Sequence, residues 1–278
     1  MANILKSEFF KLRKNKAVWI CLAVLVAYTV LNAVVALLAS RFIDDATMIM
    51  FGDLLAAPDA ATALATVGSD FTWIILVGIV AGRFYAGENS SGVLRNSLMA
   101  GESRTVVYSA KFIMTMVVTA AAYLVPITIC AMLFGISGGF GDAVPGVFFG
   151  YMALQFLLFL SIGALVFLLS VATRSVGVSL GLTIGLCFFF AILSTSALTG
   201  MELSAVKRVD GAFVRGEPHM FFKVLTEICR MLSPAQASFV ASMDLEPVRI
   251  VQAGLVGAAT LGAAYGGGLA IFNRSDHK

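Results

Sequence analysis

The residue types that usually carry catalysis or bind metals are sparse in this sequence, and their spacing joins none of them into a site. The histidines, His219 and His277, are far apart along the chain, and the four cysteines form neither a CxxC pair nor a cluster with histidine. No stretch matches the P-loop, the HExxH zinc motif or the GxSxG nucleophile motif. The residues therefore do not favour an enzyme, and they give the chain no nucleotide-binding motif of its own.

The composition is that of a membrane protein. The chain has 278 residues, of which 59% are hydrophobic and only 13% are charged, and its mean hydropathy is +0.94. An average soluble domain carries about 25% charged residues, and a soluble protein of this size cannot hide so much apolar surface from water. This balance excludes an ordinary soluble enzyme, a disordered chain and a disulfide-stapled secreted domain. The net charge of +3 gives no argument for nucleic acid binding.

Apolar runs predict an all-α integral membrane protein with six transmembrane helices and a single domain over residues 1–278. The predicted spans are residues 17–40, 62–84, 110–134, 146–172, 176–199 and 248–272. Residues 2–16 precede them as a basic amphipathic helix. Its apolar stripe, which contains Ile4, Leu5, Phe9 and Leu12, is expected to face down into the membrane from the headgroup plane.

The distribution of lysine and arginine orients these spans. An even number of spans places both termini on one side, and a cytoplasmic N-terminus leaves 12 basic residues in inner segments and seven in outer ones. Cytoplasmic segments carry the excess of basic residues in membrane proteins. We therefore predict a multi-pass protein with both termini in the cytoplasm.

The outer segment 200–247 is predicted to form an extracellular helical hairpin before the last span. Glu217-Pro218 has the pattern of a helix start, and an apolar stripe continues to Leu232 before Ser233-Pro234 ends the helix. A second short helix is expected over residues 235–243. The hairpin is expected to dip into or cap the outer membrane face.

Asp70 is the acidic residue that falls within a predicted span. An ionisable group in the bilayer is costly, and such a group is a functional candidate for that reason. The alternative is that Gly68-Ser69-Asp70 breaks the apolar run and that Ser69 or Asp70 caps a new helix near the outer interface. A proton- or sodium-coupled carrier is expected to need more than one intramembrane carboxylate, which argues against a secondary transporter.

The loop between the second and third spans carries the most specific pattern in the chain. Its characteristic residues are Glu88, Gly92, Arg95, Asn96, Gly101, Ser103, Arg104 and Lys111. This pattern resembles the loop after the second span in ABC-2-type permease subunits of bacterial ABC transporters, as does the SEFFKLRKNK segment before the first span. Val93 stands where that family usually has threonine, which puts one hydroxyl contact in doubt.

The resemblance implies that this loop holds a short coupling helix, which docks on a separate ATP-binding subunit. The residues expected in that contact are Glu88, Gly92, Leu94, Arg95, Asn96, Leu98, Gly101 and Arg104. In that role the glycines permit turns at the two ends, the leucines form an apolar knob, and the arginines pair with the partner or with lipid phosphates. Without the family pattern, a generic basic cytoplasmic loop would explain the same residues.

Two small-residue ridges predict close helix contacts. Gly177, Gly181 and Gly185 on the fifth span form two overlapping GxxxG steps, and this helix is expected to form the seam with a second permease chain. Ala258, Gly262, Gly266 and Ala270 form a ridge on the sixth span. That second ridge is expected to pack within the chain.

The resemblance also implies the wider function. It implies an exporter in the bacterial plasma membrane, built from two permease chains, identical or related, and two ATPase subunits. Drugs, antimicrobial peptides or lipid-like molecules are the expected substrates, and the partner subunits bind ATP and magnesium, so no cofactor is expected on this chain. The alternatives from other classes are a polytopic membrane enzyme and an ATP-independent channel or secondary carrier.

Overall fold

The structure, a computed structural model of the chain, describes residues 2–42, 72–81, 101–137, 145–173, 175–209, 212–232, 235–236, 240 and 246–274. Its helices there are α1 (Ala2–Lys14), α2 (Lys16–Phe42), α3 (Thr72–Ala81), α4 (Arg104–Ser137), α5 (Pro145–Thr173), α6 (Val176–Ala205), α7 (Met220–Arg230) and α8 (Pro247–Arg274). Two short strands, β1 (Val206–Val209) and β2 (Ala212–Arg215), lie between α6 and α7.

Five helices of the described chain are long and apolar enough to cross a membrane. These stretches are Lys16–Val35, Arg104–Leu133, Phe148–Thr173, Val176–Ala205 and Pro247–Arg274. They confirm the prediction of a helical, multi-pass membrane protein. Because α3 is the only described part of the predicted second span, the count of six spans stays a prediction.

The start of α4 lies closer to the loop than the apolar run indicated, at Arg104 rather than residue 110. The Ser103 hydroxyl accepts a hydrogen bond from the Val106 amide at 3.4 Å, in the manner of a helix N-cap. Pro126 lies inside the helix without ending it, as membrane helices tolerate. The longer α4 brings its polar first turns into contact with other helices.

The core is centred on α5, which contacts α3, α4, α6 and α8. One cluster of aromatic side chains fills the space between α4, α5 and α8. Its rings belong to Tyr108, Phe112, Phe167, Tyr265 and Phe272. The backbone of α8 comes so close here that a Cβ added at Gly268 would meet the Tyr108 hydroxyl. This contact explains why a residue without a side chain is needed at that point.

The segment before α7 differs from the predicted helical hairpin. The strands β1 and β2 form an antiparallel ribbon in which Val206 pairs with Arg215 and Val209 with Ala212. The α7 helix then begins at Met220, with His219 as its N-cap. Of the predicted second helix, only residues 235–236 and 240 are described, and they are helical.

Candidate functional site

Charged residues form groups at opposite ends of the bundle. Near the start of α4 and the end of α8, Lys111 pairs with Glu8 of α1, and we name this region the α1 end. Near the start of α8, Arg249 pairs with Glu227 of α7, and we name this region the α7 end. The α1 end is cytoplasmic in the predicted orientation.

The most buried charges among the described residues are those of Glu8 and Lys111. Their side chains are 5% and 2% exposed, and Lys111 Nζ lies 3.2 Å from Glu8 Oε2. The other carboxylate oxygen, Oε1, accepts a hydrogen bond from Lys11 Nζ at 2.8 Å. Burial of charges is expensive unless they are paired. The pair therefore ties the N-terminal helix to α4 by an interaction that is costly to break.

The α1 helix docks on protein through one face, and its opposite face is exposed. Leu5 and Leu12 pack into a cluster formed with α2, α3 and α4, and Leu12 is only 7% exposed. Phe9 and Phe10 are 54% and 57% exposed, so the predicted stripe is split between protein and surroundings. Leu12 contacts the bundle because Glu8, one turn before it, turns the same face toward Lys111.

Above Lys111, one face of α4 continues as a strip of buried hydroxyl groups. Thr115 donates a hydrogen bond to the carbonyl of Lys111 at 3.0 Å, and Thr119 donates to that of Thr115 at 2.9 Å. Thr119 also lies against Gly163 of α5, where an added Cβ would come within 2.5 Å of its Oγ1. These hydroxyls are satisfied by the backbone of their own helix. They serve close helix packing and form no acid–base pair.

Arg104 of the predicted coupling loop has an intramolecular partner. Its Nη1 donates a hydrogen bond to the carbonyl of Asn273 at 3.0 Å, at the C-terminal end of α8, where a cation is favourable. One turn further along α4, the Tyr108 hydroxyl donates to the carbonyl of Tyr265 at 2.9 Å. The first turns of α4 are thus bound to the end of α8.

The predicted loop residues are only partly placed. Gly101 has a φ of 90°, which is a left-handed conformation suited to glycine, and it lies just before the N-cap of α4. Glu88, Gly92, Leu94, Arg95, Asn96 and Leu98 lie outside the described residues, as does Asp70. The predicted contact with a partner subunit stays a prediction.

The α6 helix has one face buried in the chain and another that is open. On the buried face, Ser179 shares a hydrogen bond with Ser170 of α5 at 2.7 Å, and Thr183 packs on Gly78 of α3. On the open face, a Cβ added at Gly177, Gly181 or Gly185 would meet no atom within 4 Å. The predicted seam glycines are brought together on one exposed face of α6.

The prediction that α8 packs within the chain through Ala258, Gly262, Gly266 and Ala270 was wrong. Gly262 and Gly266 have no atom within 4 Å of an added Cβ. The helix instead packs through a neighbouring ridge. That ridge consists of Ala253, Gly257, Ala264 and Gly268, all of which are buried. Small residues lie on several faces of this helix, and spacing alone did not identify the face that contacts α5.

The α7 end holds its charges in a more exposed setting. Arg249 binds Glu227 through two hydrogen bonds of 2.7 and 2.8 Å, and Arg230 adds a third at 3.0 Å. On the buried side of α7, Cys229 packs against α6, and burial raises the pKa of its thiol. The opposite side exposes apolar residues, including Met220 and Phe221. The helix is amphipathic as predicted and is fixed to α8 by the Glu227 carboxylate.

The profile of a family described as ABC-2 family transporter protein matches residues 4–198 of this chain. The chain belongs to the ABC-2 family of transporter proteins. The family resemblance predicted from the loop pattern is confirmed. No protein with a curated description matches the sequence.

The ABC-2 match covers the Glu8–Lys111 pair, Arg104 and the open glycine face of α6. It ends before the β-ribbon, α7 and α8. The Glu8–Lys111 pair and the open face of α6 therefore lie in the part of the chain that matches the family, whereas the Glu227–Arg249 pair does not.

Glu8 is a residue that the sequence analysis missed. It is the only acidic residue of α1, whose other charged residues are all basic. In a helix assumed to face anionic headgroups, an isolated carboxylate is out of place, and this was the available signal. The position of its partner 103 residues away was not available from the pattern.

Proposed function

We propose that this ABC-2 family protein is the membrane-spanning permease subunit of an ABC exporter, and that it works with a separate ATP-binding subunit. The family match supports the role of a transporter component. The chain has no P-loop of its own, so ATP and magnesium are bound by the partner. The permease is not itself catalytic, and both termini lie in the cytoplasm.

The loop that precedes α4 is the proposed contact with the ATP-binding subunit. The observation that supports it is the set of bonds made by the first turns of α4. Lys111 binds α1, while Arg104 and Tyr108 bind α8. A displacement of this loop is therefore passed directly to three helices.

Two permease chains are proposed to assemble through the open face of α6, so that the pathway runs between them. Gly177, Gly181 and Gly185 allow close approach of a second helix. Phe188 and Ile192 continue this face and are exposed by 59% and 65%. A drug, an antimicrobial peptide or a lipid-like molecule is the proposed substrate class.

The coupling contact is tested by changing Leu98, which the loop pattern places on the apolar face of the coupling helix. Leu98→Asp puts a charge into a pocket that should be apolar, where an unpaired charge is expensive. We expect the ATP-binding subunit to be lost from the purified complex, while the abundance of the permease in the membrane is unchanged. The measurement is co-purification of the ATPase encoded beside the permease.

Ser97→Asp is the matched control, because it adds the same charge on a neighbouring face of the same short helix. Retention of the ATPase by Ser97→Asp and its loss from Leu98→Asp would support a specific contact. Equal retention by both variants would contradict the proposed coupling role of this loop.

The seam is tested by Gly181→Leu, which fills the open face of α6 without disturbing contacts inside the chain. We expect a folded permease that no longer assembles in pairs, measured by the mass of the purified particle. Gly266→Leu is the control, since Gly266 is equally open but lies on α8. A Gly181→Leu variant that still forms a complete complex with normal ATPase activity would place the seam elsewhere.

A further inference from the structure

The Glu8–Lys111 pair is unusual for a membrane protein, because both charges lie inside the bundle. About one turn beyond the pair on α1 and on α4, Leu12 and Met114 belong to an apolar cluster that also contains Val18 of α2 and Val80 of α3. Among the described residues, Lys11 of α1 also contacts the pair, with its Nζ at 2.8 Å from Glu8 Oε1. A buried carboxylate and a buried ammonium are costly to separate, because each would then be a buried charge without its partner of opposite sign.

The position of Lys111 on α4 links this pair to the loop that precedes α4. It lies two helical turns after Arg104 on α4, and the residues before Arg104 form the loop assigned to the ATP-binding subunit. The same first turns of α4 also bind α8 through Arg104 and Tyr108. The α1 helix makes its main contacts with α4 and fewer with α2, although α2 follows it in sequence.

We propose that Glu8 and Lys111 are positioning residues, which make α1 move together with α4 when the ATP-binding subunit displaces the loop. This inference rests on the proposed function and adds α1 to the moving unit. The helical backbone is interrupted between α1 and α2 at Asn15, whose side chain accepts a hydrogen bond from the Ala17 amide at 3.0 Å. This interruption lets α1 follow α4, while α2 keeps its own direction across the membrane.

A first experiment measures whether the pair holds α1 in place. Leu12→Cys introduces a thiol on the docked face, where the native side chain is 7% exposed. Phe9→Cys introduces one on the exposed face as a control. The four native cysteines are buried. A membrane-impermeant maleimide added to inside-out vesicles should therefore label the introduced thiol, and its labelling rate is measured. Leu12→Cys should be protected in the chain with the intact pair.

Glu8→Gln removes the charge of Glu8 and keeps its size. In that background the labelling rate of Leu12→Cys should rise by about tenfold or more, which corresponds to about 1.4 kcal/mol of lost docking energy. Labelling of Phe9→Cys should not change. The exchanged pair Glu8→Lys with Lys111→Glu should restore part of the protection. Restoration is incomplete because Lys11 then lies next to a second lysine.

A second experiment measures positioning, which a purely structural role would not affect. Spin labels are placed on the permease–ATPase complex at Lys6 of α1, Val117 of α4 and Leu182 of α6, all of which are exposed. Distances are compared without nucleotide and with ATP and vanadate. The Lys6–Val117 distance should stay constant while both labels move relative to Leu182. In Glu8→Gln, Val117 should still move, but Lys6 should no longer follow it.

The outcomes separate this inference from the proposed function. Unchanged protection of Leu12→Cys in Glu8→Gln, or a label at Lys6 that still follows α4, would overturn the positioning role alone. A Lys6–Val117 distance that changes with nucleotide in the unaltered chain would do the same. Failure of any ATPase to co-purify, or absence of every nucleotide-dependent change, would overturn the proposed function and the inference together.

Discussion

The ion pair at the α1 end is buried, because the side chains of Lys111 and Glu8 are only 2% and 5% exposed. The ion pair at the α7 end is partly in water, because the side chains of Arg249 and Glu227 are 31% and 46% exposed. Both pairs join a short helix to a membrane-spanning one. Distance alone would rank the exposed pair as the stronger one, because its atoms lie 2.7 Å apart, against 3.2 Å in the buried pair. We expect the buried pair to contribute more to stability. What differs is the access of water to each charge once its partner is gone.

This difference indicates distinct tasks for the two helices. A charge left in the interior has little solvent to replace its lost partner, so breaking the Glu8–Lys111 pair should be costly for the docking of α1. A charge left alone at the α7 end is hydrated, and Glu227 still has Arg230 at 3.0 Å. The α1 helix is therefore suited to transmit displacement, while α7 is held to α8 by a pair that costs less to break.

The largest effect is expected from Lys111→Met, which removes one buried charge and leaves Glu8 with Lys11 alone of its two described partners. Breaking a buried ion pair costs about 3–5 kcal/mol, and the half-exposed Lys11 should reduce this cost. We expect Lys111→Met to melt at a clearly lower apparent temperature than the unaltered permease, when both are purified in detergent. An unaltered melting temperature would show that water reaches the pair and would remove the contrast between the two ends.

The companion variant Glu8→Met with Lys111→Met sharpens this prediction. Replacement of both buried charges by apolar residues of similar size is often neutral, so most of the lost stability should return. The same variant should nevertheless lose the common movement of α1 and α4, if charge pairing and not apolar contact holds them together during the cycle. A double variant as unstable as Lys111→Met would mean that Met packs badly at this site.

The sequence predicted the helical membrane fold well, because apolar runs report directly on the bilayer. The spacing of Gly177, Gly181 and Gly185 also placed the three glycines on one side of α6, while their role as a seam with a second chain stays a prediction. The same logic failed for α8. There Ala258, Gly262, Gly266 and Ala270 had the expected spacing, but the buried ridge was the neighbouring one that contains Gly257 and Gly268.

The contacts at the α1 end could not be predicted, because they join residues far apart in the chain. Arg104 binds the carbonyl of Asn273, which is 169 residues away, and no local pattern marks an acceptor that is a backbone atom. Glu8 was hidden for another reason. A basic segment before a span is usually assigned to the membrane surface, and that assignment leaves no place for a buried carboxylate.

A smaller effect is expected from Arg249→Gln at the α7 end. The change removes a two-bond ion pair whose members are partly in water, so the loss should be about 1 kcal/mol. We expect a slight decrease in the melting temperature and a higher rate of proteolysis between α7 and α8. The control is Arg249→Lys, which keeps the charge but loses the planar fork. A decrease as large as that of Lys111→Met would mean that α7 is as rigidly held as α1.

The smallest effect is expected from Glu217→Gln, which removes the ion pair that Glu217 makes with Lys223 at 3.1 Å. The two side chains are 89% and 46% exposed, and pairs of this kind contribute about 0–1 kcal/mol. The start of α7 does not depend on this pair, because the His219 side chain accepts a hydrogen bond from the Phe221 amide. We expect the melting temperature to stay within experimental error at low and high salt. A salt-dependent loss comparable to that of Arg249→Gln would show that the charges at the α7 end act as one network, and α7 would then be held by their sum and not by Glu227 alone.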